Sequence, residues 1–268
     1  MPVRIGIFDS GLGGLTVAAA IINELPDAQL IYFGDTARVP YGPKSQKTIQ
    51  KFAEQNTRFL ISKNIDMLVI ACNTASAYAL SLLKSSFSIP IIDVIAPGVK
   101  SALGVSKDAI IGIIGTIGTI KSGAYQEALT RLKPRATIVV KPCPLFVPLV
   151  EEGFLNHPVT KLVAREYLDV FKRAKIDTLV LACTHYPLLK PVITEVLGNQ
   201  VLIVDSAIET AREVSLIANE IRLSGKDNSE KGMHEFYLSD VDYSFSEIAI
   251  KALNLGELDM QYLNIEEY

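Results

Sequence analysis

The sequence has little that would indicate a secreted, membrane-spanning or nucleic-acid-binding protein. Three cysteines in 268 residues are too few for a disulfide framework. Basic and acidic residues nearly balance, at 26 and 29, and no run of like charges marks a binding tail. The longest apolar stretch, 109–120, is 12 residues long, whereas a helix needs about 20 to cross a bilayer. The opening MPVRIGIFDS has no signal-peptide pattern. We therefore expect a cytoplasmic protein with reduced thiols and with neither nucleic-acid nor membrane partners.

Short apolar runs alternate with segments of helical pattern, which predicts the fold class. The runs lack inside/outside alternation, as parallel strands buried on both faces do. Strands that alternate with helices of 10–20 residues indicate a doubly wound α/β fold. The predicted strands are 3–8, 29–33, 67–71, 89–94, 109–115, 136–140, 178–182 and 200–204. The predicted helices are 15–25, 45–63, 75–85, 122–132, 159–174 and 207–223.

Two strand-and-turn elements occur twice, in the same order. The run Ile65 to Cys72 and the run Ile176 to Cys183 agree at six of eight positions. The opening IGIFDSG (5–11) has a counterpart in IGIIGTI (111–117). This repetition predicts two halves of similar topology, the first ending near 93–98 and the second near 205. The sequence does not say on which half residues 206–268 pack.

Cys72 and Cys183 each end a predicted strand and begin a strand-to-helix turn. Ligands of open α/β sheets bind beyond the carboxyl ends of the strands. A helix N-terminus there lowers the pKa of a thiol and offers N–H groups to an anion. A single cysteine so placed could be a core residue, but equivalent positions in repeated halves favour a functional pair. Zinc would need more thiolate or imidazole ligands than these turns supply, and a disulfide is not expected in the cytosol.

Two thiols that face each other across a cleft can invert a carbon centre. One removes a proton from one face while the other delivers a proton to the opposite face. The residues alone therefore predict two-thiol proton transfer on a small anionic substrate.

The turn after the first strand, FDSGLGGL, raises a competing interpretation. Gly11, Gly13 and Asp35 partly match a dinucleotide-binding fingerprint, but Thr16 stands where its third glycine belongs. Nucleotide binding is therefore the weaker alternative. Asp9 in this turn could serve the site or could only cap the turn.

Further polar residues are predicted near the same rim. The loop GDTARVPYGPKS (34–45) follows a strand and presents Tyr41 and Gly42; otherwise it is a surface connection. His185 stands at a predicted helix start, which disfavours a permanently charged imidazole; it is either a proton-handling partner of Cys183 or a structural histidine. Glu151 and Glu152 could instead be a solvated helix end. Cys143 has no counterpart in the first half, and we interpret it as structural.

Five stretches in order along the chain resemble the glutamate racemases of the aspartate/glutamate racemase family. They are IGIFDSGLGGLTV, YFGDTARVPYG, ACNTASA, ACTHYPLL and VDSA. The resemblance implies two α/β domains related by a pseudo-two-fold axis, with the active site in the cleft between them. It assigns 1–96 plus 207–268 to the first domain and 97–206 to the second. It further implies racemisation without cofactor or metal, D-glutamate for peptidoglycan, and a homodimer.

The resemblance also implies residue roles. Cys72 would act on D-glutamate and Cys183 on L-glutamate. Asp9 and His185 would assist the two thiols, with Glu151 as a further acidic participant. The implied substrate-binding residues are Asp9, Ser10, Pro40, Tyr41, Gly42, Asn73, Thr74, Thr116, Thr184 and His185, with Thr116 near the substrate carboxylate.

The substrate itself comes from the resemblance alone. Aspartate racemases tend to carry glutamate at the position of His185 and to lack the DSGLGG opening, which favours glutamate. Three alternatives stay open: another amino-acid or hydantoin racemase, a nucleotide-binding oxidoreductase, and a non-catalytic amino-acid-binding module.

Overall fold

The computed structural model describes residues 2–223, 232–240, 253 and 260–268. Its strands form one six-stranded and one four-stranded sheet, and every described pairing is parallel. The predicted α/β fold with two parallel sheets is therefore confirmed. The strands are β1 (Arg4–Asp9), β2 (Gln29–Gly34), β3 (Met67–Ile70), β4 (Ile91–Asp93), β5 (Ile110–Gly115), β6 (Thr137–Pro142), β7 (Thr178–Ala182), β8 (Leu202–Val204), β9 (Glu235–Leu238) and β10 (Met260–Tyr262).

The two sheets repeat one strand order. The first runs β10-β9-β2-β1-β3-β4 and the second β6-β5-β7-β8, so β2-β1-β3-β4 corresponds strand for strand to β6-β5-β7-β8. In each sheet the strand that precedes the cysteine, β3 or β7, lies beside the first strand of its half. The repeat seen in the sequence is thus a repeat of topology.

Helices cover the sheets, and all six predicted helices are present. Gly123, at φ 74°, separates α5 from α6, and the helix predicted over 122–132 corresponds to α6 alone. The helices are α1 (Leu15–Glu24), α2 (Gln46–Ser62), α3 (Asn73–Ser86), α4 (Ile95–Val105), α5 (Ile117–Lys121), α6 (Ala124–Leu132), α7 (Phe146–Glu151), α8 (Pro158–Ala174), α9 (Lys190–Leu197) and α10 (Ala207–Leu223). None of the described helices is long and apolar enough to cross a membrane.

Four helices were missed: α4, α5, α7 and α9. Three of them, α4, α7 and α9, share a cause, because each carries a proline in its first turn: Pro97, Pro148 and Pro191. A first-turn N–H has no partner inside the helix, so proline costs nothing there. One of these helices, α4, begins at Ile95, inside the stretch 93–98 where the first half is predicted to end.

The segment after residue 206 returns to the six-stranded sheet. Helix α10 packs on α1, and Ala211 and Val214 join the core cluster beneath that sheet. Strand β9 extends the sheet beside β2. The domain limits 1–96 plus 207–268 and 97–206 stay a prediction, and their parts 224–231, 241–252 and 254–259 lie outside the described residues, as does most of the polar stretch 225–232.

Candidate active site

Both cysteines of the repeat lie at the carboxyl end of a strand and line the same cavity. Cys72 follows β3 and precedes α3, whereas Cys183 follows β7 and precedes a 3-10 helix, Tyr186–Leu189. They are free thiols, 5% and 6% exposed. The free volume of the cavity is about 20 Å³, room for about one water molecule, so the cavity is nearly closed in this state. It is lined by Ser10, Val39, Pro40, Tyr41, Gly42, Cys72, Asn73, Thr74, Thr116, Val147, Cys183, Thr184 and His185.

Most residues implied by the resemblance meet at this cavity. Asp9 and Glu151 do not line it, but each contacts a residue that does. The Thr184 hydroxyl donates to Asp9 Oδ1 at 3.3 Å, and Glu151 Oε1 lies 3.3 Å from His185 Nε2. Val39 and Val147 line the cavity and were missed, because an apolar side chain in a loop or short helix carries no chemical signal. The roles of all these residues stay predictions.

Glycines let the two halves approach closely around the cavity. A Cβ on Gly13 would lie 2.2 Å from Thr184 Oγ1 and 2.8 Å from His185 Nδ1. A Cβ on Gly42 would lie 2.7 Å from Thr116 Cβ. Close backbone approach is a standard use of glycine. This gives Gly13 of the DSGLGG turn a role in packing the halves together, which the dinucleotide interpretation does not need.

Polar contacts join the halves at the same place. The Tyr125 hydroxyl donates to Asn73 Oδ1 at 2.7 Å, and the hydroxyl oxygens of Thr74 and Thr116 are 2.9 Å apart. The N–H of Gly118 donates to the carbonyl of Gly42 at 2.9 Å. Because buried polar groups are costly when unpaired, these contacts define how the walls of the cavity meet.

Asp9 is fully buried beside Cys72. The N–H of Gly11 donates to its Oδ2 at 3.0 Å, so it does hold the turn, as the structural alternative stated. Burial nevertheless raises the pKa of Asp9, against the lowering effect of His185 and of its hydrogen bonds. A carboxyl group with a raised pKa beside a thiol can exchange a proton with it.

Cys72 corrects an expectation. The helix N-terminus was expected to lower the pKa of this thiol, and the N–H of Ala75 does act in that direction. Burial and the neighbouring Asp9 carboxylate outweigh it and raise the pKa of Cys72 to about 12. The thiol of Cys72 is therefore protonated at neutral pH in this closed cavity.

His185 corrects a second expectation. Its place at a helix start was expected to disfavour charge, and burial does oppose the charged form. The side chains of Cys183, Glu151 and Asp9 outweigh burial and raise the pKa of His185 to about 10. Its Nδ1 lies 3.9 Å from the Cys183 sulfur. A cationic His185 at that distance stabilises negative charge on the sulfur.

Cys143 lies where a structural cysteine would lie, whereas Glu151 fits the interpretation as a solvated helix end only in part. Cys143 is buried among apolar side chains, and its thiol donates to the carbonyl of Lys141 at 3.6 Å. Glu151 ends α7, as a solvated helix end would, but its contact with His185 brings it to the site. Within the described part of the chain, no cluster of three His, Cys, Asp or Glu side chains could hold a metal ion.

Comparison with known proteins agrees with this geometry. Residues 15–214 match the model of the family described as Asp/Glu/Hydantoin racemase. A glutamate racemase of Geobacter metallireducens is 48% identical over 265 residues, which is 98% of each chain. A solved glutamate racemase isoform of Bacillus anthracis matches at a TM-score of 0.90 and 38% identity, covering 97% of each chain. The glutamate racemase of Francisella tularensis, solved in complex with D-glutamate, matches at a TM-score of 0.90 and 36% identity, covering 99% of this chain and 98% of that one. The chain therefore belongs to the Asp/Glu/Hydantoin racemase family.

Proposed function

We propose that the protein interconverts L- and D-glutamate without a cofactor, using Cys72 and Cys183 as the two acid–base groups. The observation that carries the proposal is the pair of free, buried thiols at equivalent ends of two repeated sheets, lining one small cavity. The glutamate racemase names of the relatives support glutamate as the substrate, and the D-glutamate complex of the Francisella protein supports a ligand of that size.

The protonation states suit the L-to-D direction. Cationic His185 lies 3.9 Å from the Cys183 sulfur, whereas Cys72 keeps its proton. The Cys183 thiolate removes the α-proton of L-glutamate, and the electron pair of the C–H bond stays on the α-carbon. The Cys72 thiol then gives its proton to the opposite face of that carbon. The products are D-glutamate, a Cys183 thiol and a Cys72 thiolate.

The D-to-L direction begins from a Cys72 thiolate and a Cys183 thiol, so a resting protein with a protonated Cys72 must first lose that proton. Asp9 is the group we assign to this step. It is buried against Cys72, its own pKa is raised, and its negative charge disfavours the Cys72 thiolate. A proton taken up by Asp9 relieves that repulsion. Glu151 acts on the other side by holding His185 in its cationic form.

Backbone and hydroxyl groups hold the substrate in this proposal. Asn73 and Thr74 form the first turn of α3, whose N–H groups and dipole favour an anion. Thr116 and Thr184 line the cavity from the second half. Together they can bind carboxylates at both ends of an amino diacid and leave the α-carbon between the sulfurs.

The wider role follows from the reaction. We propose that the D-glutamate supplies peptidoglycan synthesis in the cytoplasm, and that the protein acts as a homodimer. Light scattering on the purified chain measures the second point directly, and a monomeric mass for the active protein would contradict it.

The test of the reaction is racemisation by exhaustively dialysed, chelator-treated protein, followed by circular dichroism. We expect full turnover of either glutamate enantiomer, because both proposed acid–base groups are side chains. A requirement for added metal or pyridoxal phosphate would contradict the proposal. Aspartate and hydantoins serve as the substrate panel, and faster turnover of any of them would reassign the substrate. Binding of glutamate without exchange of its α-proton would instead identify a binding module.

A further inference from the structure

The loop between β2 and α2 carries three polar side chains at a spacing of three: Asp35, Arg38 and Tyr41. A 3-10 helix, Thr36–Arg38, begins the loop, and such a helix places residues i and i+3 on one side. Arg38 Nε lies 2.9 and 2.8 Å from the two carboxylate oxygens of Asp35. The Tyr41 hydroxyl donates to the same carboxylate. The proposed chemistry gives Asp35 and Arg38 no part, so this arrangement needs its own explanation.

Because the side chains of Asp35 and Arg38 are largely buried, they must keep their hydrogen-bond and charge partners. The side chain of Asp35 is 0% exposed and that of Arg38 is 10% exposed. Ser239 Oγ also donates to Asp35, at 2.9 Å. A buried carboxylate must keep its charge partner and its hydrogen bonds, because removing one partner leaves a charge uncompensated. The position of the Asp35 carboxylate therefore fixes the position of the hydroxyl that donates to it.

Arg38 also fixes the other partner of that hydroxyl. Its Nη2 donates to Asn56 Oδ1 at 2.9 Å, and Asn56 Nδ2 donates to the Tyr41 oxygen at 3.1 Å. The guanidinium carbon lies 4.0 Å from the centroid of the Phe52 ring, and the Tyr41 ring packs against the same ring at 5.6 Å. One planar guanidinium thus holds Asp35 and Asn56, the two groups that hold Tyr41.

Tyr41 forms part of the cavity wall. Tyr41 is 1% exposed, and because its hydroxyl is bonded to Asp35 and Asn56, its backbone is the group available to a substrate. The next residue, Gly42, is held from the other side by Gly118 and by contact with Thr116. The peptide between Tyr41 and Gly42 is therefore fixed by the Arg38 network on one side and by the second half of the molecule on the other.

The network continues to the molecular surface through Glu266. This residue lies in a 3-10 helix, Ile265–Glu267, which buried Ile265 attaches to the core. Arg38 Nη1 lies 3.3 Å from Glu266 Oε1, and Lys51 Nζ lies 3.6 Å from Glu266 Oε2. Because the Glu266 side chain is 55% exposed, its contribution is smaller than that of buried Asp35.

We propose that Arg38 is a positioning residue for the substrate, and that Glu266 supports it from the surface. Arg38 holds Asp35 and Asn56 so that the Tyr41 side chain anchors the Tyr41–Gly42 peptide against the cavity. The inference rests on the proposed racemisation of glutamate. In this inference Arg38 strengthens the binding of substrate. The proton transfers depend on the groups around the two thiols and not on Arg38.

The test is the Arg38→Lys variant, measured with both glutamate enantiomers. Lysine keeps the charge but loses the planar fork, so the Tyr41 anchor loosens. We expect KM to rise about 10-fold for both enantiomers with kcat changed by less than about threefold, the pattern of lost uniform binding. Glu266→Gln should raise KM by about twofold, as an exposed pair allows. Arg58→Lys is the matched control, since Arg58 lies on α2, pairs with Glu54 at 3.8 Å and is 57% exposed; its KM should stay at the wild-type value.

Tyr41→Phe is the second variant, used if Arg38→Lys does not fold. It keeps the ring on Phe52 and removes the hydroxyl, and we expect the same rise in KM. A purely structural role would lower the folded fraction, and with it kcat, while KM stayed constant; urea unfolding of each variant measures that fraction. Wild-type KM in a folded Arg38→Lys or Tyr41→Phe variant would overturn this inference and leave the proposed function intact. A wild-type protein that does not racemise glutamate would overturn both.

Discussion

The two cysteine-bearing turns share a fold and differ in their neighbours. Each thiol follows a strand beside the first strand of its half, and each is almost fully buried. Cys72 has the carboxyl group of Asp9 as its neighbour, whereas Cys183 has the imidazole of His185. A negative neighbour favours the thiol and a positive neighbour favours the thiolate. The two repeated halves thus place chemically different neighbours beside the two thiols, and the proposed mechanism uses this asymmetry, with one thiol as acid and the other as base.

The largest expected effect comes from removing either thiol. We expect Cys72→Ser and Cys183→Ser to lower kcat by about 10³-fold in both directions, within the range for a positioned acid–base group. Each direction uses one thiol as acid and the other as base, so neither variant should spare one direction. Chiral chromatography of long incubations measures the residual turnover. Cys143→Ala is the control and should stay within about an order of magnitude of wild type, since Cys143 only packs in the core. Inactive but folded Cys143→Ala, or an active Cys183→Ser, would refute the assignment.

A smaller effect is expected from pushing the two halves apart. The Cβ of Gly13→Ala would meet the Thr184 side chain, and a displacement near 1 Å can cost about 10² in rate. We expect kcat/KM to fall by that order while the fold is kept. Gly104→Ala is the control, because a Cβ there meets nothing within 4 Å. Equal activities of the two alanine variants would show that the halves are not held as closely as described.

The His185→Asn variant tests the difference between the two thiols by removing the imidazole beside Cys183. We expect a loss of about 10-fold in kcat from L to D, larger than any change in KM, because the cation beside Cys183 supports the thiolate. The two enantiomers have equal free energies, so kcat/KM must remain equal in both directions. Progress curves from each enantiomer give all four constants. A change in KM alone would make His185 a binding residue only.

The smallest expected effect is a shift in the pH profile of kcat/KM in the His185→Asn variant. One thiol must be ionised and the other protonated, so kcat/KM should be bell-shaped, with limbs that belong to the coupled pair. His185 has its pKa raised to about 10 and is cationic below that pH. In the proposed mechanism this positive charge assists the base on the same side, so in His185→Asn the acidic limb should move to higher pH. A limb that moves to lower pH, or stays in place, would remove the proposed electrostatic link.

Much of the fold and of the candidate site could be predicted from the sequence, because the internal repeat points to Cys72 and Cys183. Apolar runs predicted all eight strands of the repeated halves, and the cysteines pointed to the carboxyl ends of two of them. The first-turn prolines hid three helices, since proline usually ends a helical pattern. The protonation states could not be predicted, because burial and neighbours from distant segments decide them. Asp9 and Thr184 are far apart in the chain, yet 3.3 Å separates their side chains.

Isotope uptake in D₂O tests the central claim most directly. If two separate groups act on opposite faces of the α-carbon, L-glutamate should give D-glutamate that carries deuterium at the α-carbon, while unreacted L-glutamate keeps its proton early in the reaction. The same should hold in the opposite direction. Proton NMR after chiral separation measures both pools. A single group that removed and returned the proton would place protium in the product, or deuterium in the recovered substrate, and that result would contradict the two-cysteine account.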